Sequence, residues 1–421
     1  MLKWGHPSIL FPKRRKPMSL ETQTLKFEQR VEAPAAQVYR AFTNGTALRE
    51  WFCDVSTVDP KPGGRFYVYW NAGFYAAGEY TEVEPDEKVA FTFNGRGYPA
   101  STQVQVLITP QDGGTLVSLE QSGAGQDEAW ANIVEEIKSG WEGSLENLAS
   151  VLETGRDLRF VRRPMLGITI SDFNTDIAEK HGIPVTEGIR LDDLVEGMGA
   201  KKAGLQSGDV VVEVADRPVT NWGSLDAALQ VHRAGDTVEV VFYRGGEKKK
   251  LDMELSGRPL PEIIWEPQAL AEEARKEYAQ IEAELEGFFE GMSEEQAAFR
   301  QAPGDWSAKD ILAHLIHSER GWQQWVGEMI GGHQPFYDDW GGNIQARNAA
   351  TLAAFPTLAE LVAELKCLHR ESTALLANLP ADFVARKGAY WFLAYSVLED
   401  PYHFYTHLDQ MRAAIEAAPK E

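Results

Sequence analysis

The sequence predicts a multidomain α+β protein, and three observations carry that prediction. From about residue 19 to 155, apolar and polar residues alternate over several short stretches, closed by one long amphipathic segment. That is the pattern of an antiparallel sheet gripping a helix. From about 160 to 257, strand-like runs and two short helical runs are punctuated by glycine. From about 265 to 421 only helical periodicity remains, in four segments with connections of moderate length, which read as a four-helix bundle. A chain of 421 residues also exceeds what one core organises, so several domains are expected on length alone.

Composition narrows the partners. Sixty-three acidic residues oppose 41 Lys and Arg, giving a formal charge of −22. Such a surface repels phosphate backbones and anionic lipid, so neither nucleic acid nor a membrane is expected as a partner. Two cysteines, Cys53 and Cys367, fall in separate predicted domains and exclude a disulfide framework or a Cys-x-x-Cys metal site, which fits a reducing cytoplasm. No apolar run reaches the roughly 18 residues of a membrane helix. In residues 1–18 the basic cluster Lys13-Arg14-Arg15-Lys16 follows the apolar residues, the reverse of a secretory signal. This stretch reads as a disordered tail or a basic arm, with Met18 an alternative start of translation.

In the first segment Leu25, Phe27 and Val31 alternate with Lys26, Glu28 and Arg30, which predicts a half-buried strand. Residues 35–42 and 47–52 read as short helices. After the Pro62-Gly63-Gly64 turn, alternation resumes at 65–70 and recurs at 77–84, 88–93, 101–109 and 115–121. Residues 127–152 form the closing helix, with Ile133, Ile137, Trp141, Leu145 and Leu148 at helical spacing. The run Val31-Glu32-Ala33-Pro34-Ala35-Ala36-Gln37-Val38-Tyr39-Arg40-Ala41-Phe42, with Trp51-Phe52, Gly63-Gly64-Arg65-Phe66 and Gly140-Trp141, resembles the START-like (SRPBCC) superfamily, in particular its Aha-type branch. The resemblance implies a helix-grip domain over 19–155, with a cavity for a small apolar ligand between sheet and long helix. Tyr67, Tyr69, Trp70, Phe74, Tyr75, Phe91, Phe93 and Trp141 would line that cavity, or else these rings simply fill the core. No catalytic constellation stands out here.

In the second segment residues 162–170 run from a turn into a strand, 191–195 form another strand, and 224–231 a helix. Residues 237–244 and 248–255 form a hairpin around Gly245-Gly246. Between them, Ala203-Gly204-Leu205-Gln206-Ser207-Gly208-Asp209-Val210-Val211 resembles the signature of HtrA-like PDZ domains, and Gly235-Asp236-Thr237-Val238 agrees with it. The resemblance implies a β-barrel-like PDZ domain over 160–257 that takes a peptide or protein C-terminus as an added strand. Leu166-Gly167-Ile168 would hold the carboxylate, and Ile168, Ile170, Leu225 and Leu229 would form the side-chain pocket. The long stretch 172–188 departs from the family and either leaves this groove open or caps it, making the domain a structural linker. No Gly-x-Ser-x-Gly and no plausible Ser/His/Asp set accompanies it.

Gly257-Arg258-Pro259-Leu260-Pro261 is the linker to the third segment. Helices are predicted over 267–292, 307–330, 357–378 and 397–417. Ser307 and Thr357 serve as N-caps, and Ser396 with Glu399 as a capping box. Residues 331–348, rich in Gly, Asp and aromatics, read as a loop over one end. His403 and His407, four apart, share one helix face. Trp306-Ser307-Ala308-Lys309-Asp310-Ile311-Leu312-Ala313-His314-Leu315 and His403-x-x-x-His407-Leu408-Asp409-Gln410-Met411 are similar to the DinB-like helical bundles. By that resemblance His314, His403 and His407 are the ligands of a divalent metal ion. Three imidazoles suit Zn, Ni, Fe or Mn and leave coordination positions open, and the bland alternative is three core or groove histidines without metal. His317 is a lesser substitute ligand, His333 and His369 are expected on the surface, and Glu399 or Asp310 is a candidate for orienting an imidazole.

Three functions are compatible with these parts. The favoured one is a cytosolic multidomain binding protein combining an apolar ligand cavity, a PDZ groove and a metal site. The second is a DinB-type metal-dependent transferase, isomerase or hydrolase whose other domains select its substrate. The third, by fold-level analogy alone, is a co-chaperone-like adaptor. No residue is singled out as catalytic, and no oligomeric state is implied.

Overall fold

The computed structural model describes residues 21–302, 304–333, 343–399 and 402–418. The basic N-terminal stretch therefore lies outside the described residues. The first unit runs β1 (Thr22–Val31), α1 (Ala35–Thr43), α2 (Gly45–Trp51), β2 (Val55–Val58), β3 (Arg65–Tyr69), β4 (Tyr75–Glu84), β5 (Lys88–Gly95), β6 (Thr102–Gln111), β7 (Gly114–Gly125) and α3 (Ala131–Thr154). The strands form one antiparallel sheet in the order β1-β7-β6-β5-β4-β3-β2. Every second residue of β3 points inward: Phe66 and Val68 are buried, whereas Tyr67 and Tyr69 are not. On the inner face α3 buries Ile137, Trp141, Leu145 and Leu148 against Trp51, Phe91 and Leu119. One helix gripped by a sheet is the outcome.

After α4 (Leu158–Val161), the second unit runs β8 (Ile168–Ser171), α5 (Thr175–His181), β9 (Ile189–Leu194), α6 (Gly199–Ala203), β10 (Val210–Val214), β11 (Arg217–Pro218), α7 (Trp222–Leu229), β12 (Thr237–Arg244) and β13 (Glu247–Glu254). Its sheet is ordered β13-β12-β10-β9-β8, with β11 on β10, so β8 is an edge strand. Asp209, fully buried, explains the glycine-punctuated turn before β10. It accepts from the Gln206 amide at 2.8 Å and takes a two-pronged ion pair from Arg244 at 2.8 and 2.7 Å. The stretch 172–188 forms α5 and packs Ala178 and Ile183 on Val210, with Val212 and Tyr243 beside them. Val211 and Val214 face the other way, toward Leu225 and Leu229 of α7. Strand alternation thus puts α5 on the face of β10 away from α7, and it does not cap the groove between β8 and α7.

The third unit contains α8 (Pro267–Phe289), α9 (Glu294–Ala297), α10 (Ala308–Ile330), α11 (Ile344–Ala354), α12 (Leu358–Ala377), α13 (Ala381–Val384), α14 (Lys387–Leu398) and α15 (Tyr402–Glu416). Ser307 and Thr357 do cap α10 and α12 in capping boxes with Asp310 and Glu360. At one end of the bundle α8, α10, α12 and α15 share a core containing Leu285, Ile316, Leu365 and Leu408. At the other end α14 takes the fourth place, with Tyr390 and Leu393 on Leu270, Val326 and Leu376. The fourth rod is therefore two helices, and this corrects the single helix expected over 397–417. Ser396 lies inside α14, donating to Leu393 O at 2.8 Å, and Glu399 follows the helix end, so the expected capping box does not form. Pro401, which the sequence places between these two helices, lies outside the described residues. The expected loop over 331–348 lies partly outside the described residues, and its end belongs to α11.

The first and third units pack on each other directly. Gly155 ends α3 at φ +77°, and a Cβ there would meet Lys387 O at 2.5 Å and Trp391 Cβ at 2.6 Å. Thr46 donates to Gly332 O at 2.8 Å and Lys387 to Glu153 O at 2.6 Å across the same seam.

Candidate metal centre and binding clefts

The histidines come from two helices. Ser307 starts α10 so that His314 falls two turns in, and α15 presents His403 and His407 one turn apart. Their Nε2 atoms converge: His314 to His403 is 3.3 Å, and His407 to His403 is 3.0 Å. One ligand atom from each lies within 4.8 Å of the others. The outward nitrogens are anchored. His407 Nδ1 meets Gln410 Oε1 at 2.9 Å, and His314 Nδ1 meets His317 Nε2 at 3.2 Å. An amide oxygen only accepts, so His407 donates from Nδ1 and its Nε2 lone pair is turned toward His403. With the same tautomer at His314, lone pairs meet that only a proton on His403 or a cation relieves.

Burial lowers the pKa of His314 from the ordinary imidazole value near 6.5 to about 3, helped by the neighbouring His407, His317 and His403. Burial also lowers His403, beside His407, and His407, where the Gln410 bond works in the opposite direction. Neutral imidazoles are the ligand form of the side chain.

The carboxylates expected to orient these rings do other work. Asp310 occupies the third position of its capping box and takes Arg300 through two contacts of 2.8 Å. Glu399 interacts with Tyr395 and Arg258. Gln410 and His317 hold the rings instead. Gln410 was legible in principle, three residues beyond His407 on the same face. His333 is exposed, but His369 is buried, not superficial: it stacks on Tyr278 at 4.1 Å and bonds Glu282 at 2.9 Å. His403 also lines a solvent-open cavity of about 590 Å³ bordered by α8, α10, α12, α14 and α15, with Tyr278, Glu319 and Trp322.

In the first unit a cleft of about 420 Å³ lies between sheet and α3, lined by Trp70, Phe74, Phe93 and Trp141 together with Phe52 and Tyr98. Phe52 stacks on Trp141 at 5.1 Å, and Trp141 Nε1 donates to Gln121 at 2.6 Å. The other expected lining residues are elsewhere. Phe91 is packed on Phe66 at 4.0 Å in the core, while Tyr67 pairs with the exposed Tyr75 and shares the alternate register with Tyr69. Period-two alternation removes these three tyrosines from the inner face. Phe52 and Tyr98 escaped the sequence reading because a helix end and a turn bring them in.

In the second unit Gly167 adopts φ +78°, and its carbonyl accepts from Val195, fixing the loop before β8. Leu166, Leu225 and Leu229 are buried in the core, Ile168 is half-buried and Ile170 is exposed beside the free edge of β8. Arg163 forms an ion pair with Asp226 of α7 near this loop.

Comparison with known families matches residues 32–153 to the Activator of Hsp90 ATPase homolog 1-like protein family, 164–255 to the PDZ domain and 277–413 to the DinB superfamily. Three known domain types stand in series. Among curated proteins, the serine protease Do-like HtrA of Lactococcus lactis subsp. lactis is 30% identical over 168 residues, 37% of this chain and 40% of that protein. The chain thus spans two fifths of the length of that relative. Among solved structures, a protein of Mesorhizobium loti is 24% identical over 31% of this chain and 97% of its own, with a TM-score of 0.29. The Aha1 dimer from Colwellia psychrerythraea is 16% identical over 32% and 98%, also with a TM-score of 0.29. No helix among the described residues is long and apolar enough to cross a membrane.

Proposed function

We propose that this chain is a multidomain binding protein whose DinB-like domain holds a divalent metal ion on the Nε2 atoms of His314, His403 and His407. The observation that carries the reading is the convergence of the three Nε2 atoms, with the outward nitrogens of His314 and His407 anchored. Ligand nitrogens about 2.05 Å from a tetrahedral ion stand roughly 3.3 Å apart, the spacing of the His314–His403 pair. The all-imidazole donor set suits Zn, Ni, Fe or Mn. Such an ion would supply Lewis acidity to a bound water or thiol. In the same reading the Aha-like cleft takes a small apolar ligand, and the edge of β8 takes a peptide or protein C-terminus at the Leu166-Gly167-Ile168 loop. The unpaired Cys53 and Cys367 favour a reducing, cytoplasmic setting.

A second reading, a metal-dependent enzyme of the DinB type, is favoured by one feature: the 590 Å³ cavity reaches His403, so a molecule held there would sit beside the ion. The test for both is metal content of the purified chain and of His407→Ala. Stoichiometric metal in the parent and none in the variant is expected. A metal-free parent whose melting temperature does not respond to Zn²⁺, Ni²⁺ or Mn²⁺ would sink both.

A further inference from the structure

The cavity beside His403 has an unusual electrostatic lining. Three glutamates contribute to it, Glu277 and Glu319 from α8 and α10 and Glu399 just after α14, and no Lys or Arg does among the described residues. Glu319 is the most telling. Its Oε1 accepts from Tyr278 OH at 2.9 Å and from Ser372 Oγ, two neutral donors. The adjacent Arg320 turns away to pair with Glu364 on α12. No Lys or Arg of the described residues lies within ion-pair distance of Glu319. A half-buried carboxylate held by hydroxyls but lacking a counter-charge is poised for a cation. Arg258, which acts electrostatically on Glu399, is stacked over Phe160 at 4.3 Å, and neither Arg258 nor Phe160 is part of this lining. Between the carboxylates the walls are aromatic and aliphatic: Tyr278, Trp322, Phe404 and Ile281. Ring faces favour a cation as well as an apolar body.

We propose that this cavity binds a small molecule carrying a protonated amine on an apolar or aromatic body, with the ammonium group at Glu319. Its nearness to a metal ion rests on the reading of His314, His403 and His407 given above; its preference for cations does not. The ammonium group donates to Glu319 while Tyr278 and Ser372 keep that carboxylate in place, and the body lies along Trp322 and Phe404 toward His403. An anionic molecule of the same size meets the Glu319 carboxylate and binds less tightly. If the metal does chemistry, its substrates are therefore amines whose far end, not the nitrogen, faces the ion.

The test is calorimetric titration of the full chain at pH 7 with phenethylammonium and, separately, with 3-phenylpropionate. Each is run on chelator-treated protein and on protein loaded with Zn²⁺. The amine is expected to bind at least about tenfold more tightly than the acid in both preparations, and Glu319→Gln to weaken the amine about tenfold while leaving the acid no weaker. Should Glu319→Gln fail to fold, Glu399→Gln is expected to weaken the amine by about threefold. Equal affinities for amine and acid, or an amine affinity indifferent to a folded Glu319→Gln, would overturn the inference. Amine selectivity in a chain that takes up no Zn²⁺ supports the cavity and defeats the metal reading. Zn²⁺ uptake without amine selectivity does the reverse.

Discussion

The cleft of the Aha-like unit and the cavity of the DinB-like unit are of similar order, about 420 and 590 Å³, yet they are built on opposite terms. In the first, aromatic rings pack against each other, and the two lining indoles already have acceptors, Trp141 Nε1 in Gln121 Oε1 and Trp70 Nε1 in Phe52 O. The indoles of that cleft therefore do not need an occupant to complete their hydrogen bonds. In the second, imidazole nitrogens crowd together, and Glu319 has hydroxyl partners but, among the described residues, no Lys or Arg counter-charge. Shape specifies the one and unsatisfied polarity the other. The difference teaches that a ligand for the Aha-like cleft competes with self-packing, whereas ligands of the bundle complete it.

Substitutions separate the two regimes. The largest effect is expected from Trp141→Ala, which removes a buried ring and the Gln121 partner together. It should lower unfolding free energy by roughly 3–5 kcal/mol in denaturant titration, with zinc affinity unchanged. Gln410→Ala should do the converse. It leaves stability within about 1 kcal/mol but weakens Zn²⁺ binding roughly 10- to 100-fold, because the His407 tautomer is no longer set. A fluorescent zinc competitor reads this directly, and an unchanged affinity would remove Gln410 from the site.

Glu50 tests whether unsatisfied polarity also governs the seam between the two units. It is buried there with Oε1 unbonded and Arg40 at 3.9 Å, and burial, against the pull of Arg40 and Arg386, lifts its pKa from 4.5 to about 7. A carboxyl whose folded pKa is raised adds stability that is fully present below pH 4.5. That stability is lost as pH rises through about 7, since the unfolded chain ionises first. Melting temperature should therefore fall from pH 5 to pH 8, and Glu50→Gln should flatten that slope, worth about 2–3 kcal/mol. A slope that survives the substitution would assign it elsewhere. The smallest effect is expected at Tyr75, which the sequence suggested for the cleft but which is 41% exposed. Tyr75→Ser should change stability by no more than about 0.5 kcal/mol and leave any cleft ligand unaffected.

Much of this architecture was legible without coordinates. Periodicity separated a sheet-and-helix unit, a glycine-punctuated unit and a helical unit, and the local motifs around Ala203–Asp209, Trp306–Leu315 and His403–Met411 named their kinds. His314, His403 and His407 were legible as a trio because a resemblance linked residues 89 apart. The cleft was legible by half. Ring chemistry pointed to eight residues, but only register tells which face of β3 or β4 each occupies, and Tyr67, Tyr69 and Tyr75 fall in the wrong one. The missing helix α14 was obscured because its run from Tyr390 to Leu398 is apolar nearly all round, so it has no amphipathic stripe to mark it.

By itself, then, the sequence determined the order and type of the three units, the acidic surface and the imidazoles available to a metal. These depend on composition and on spacings of two to four residues, which the chain carries locally. Only the tertiary structure decided which groups answer one another. Gln410 and His317 brace the imidazoles, Glu319 takes two hydroxyls at the wall of a cavity, and Gly155 lets α14 dock against α3. Those pairings join helices and units far apart in the chain, and long-range packing, not local periodicity, sets them.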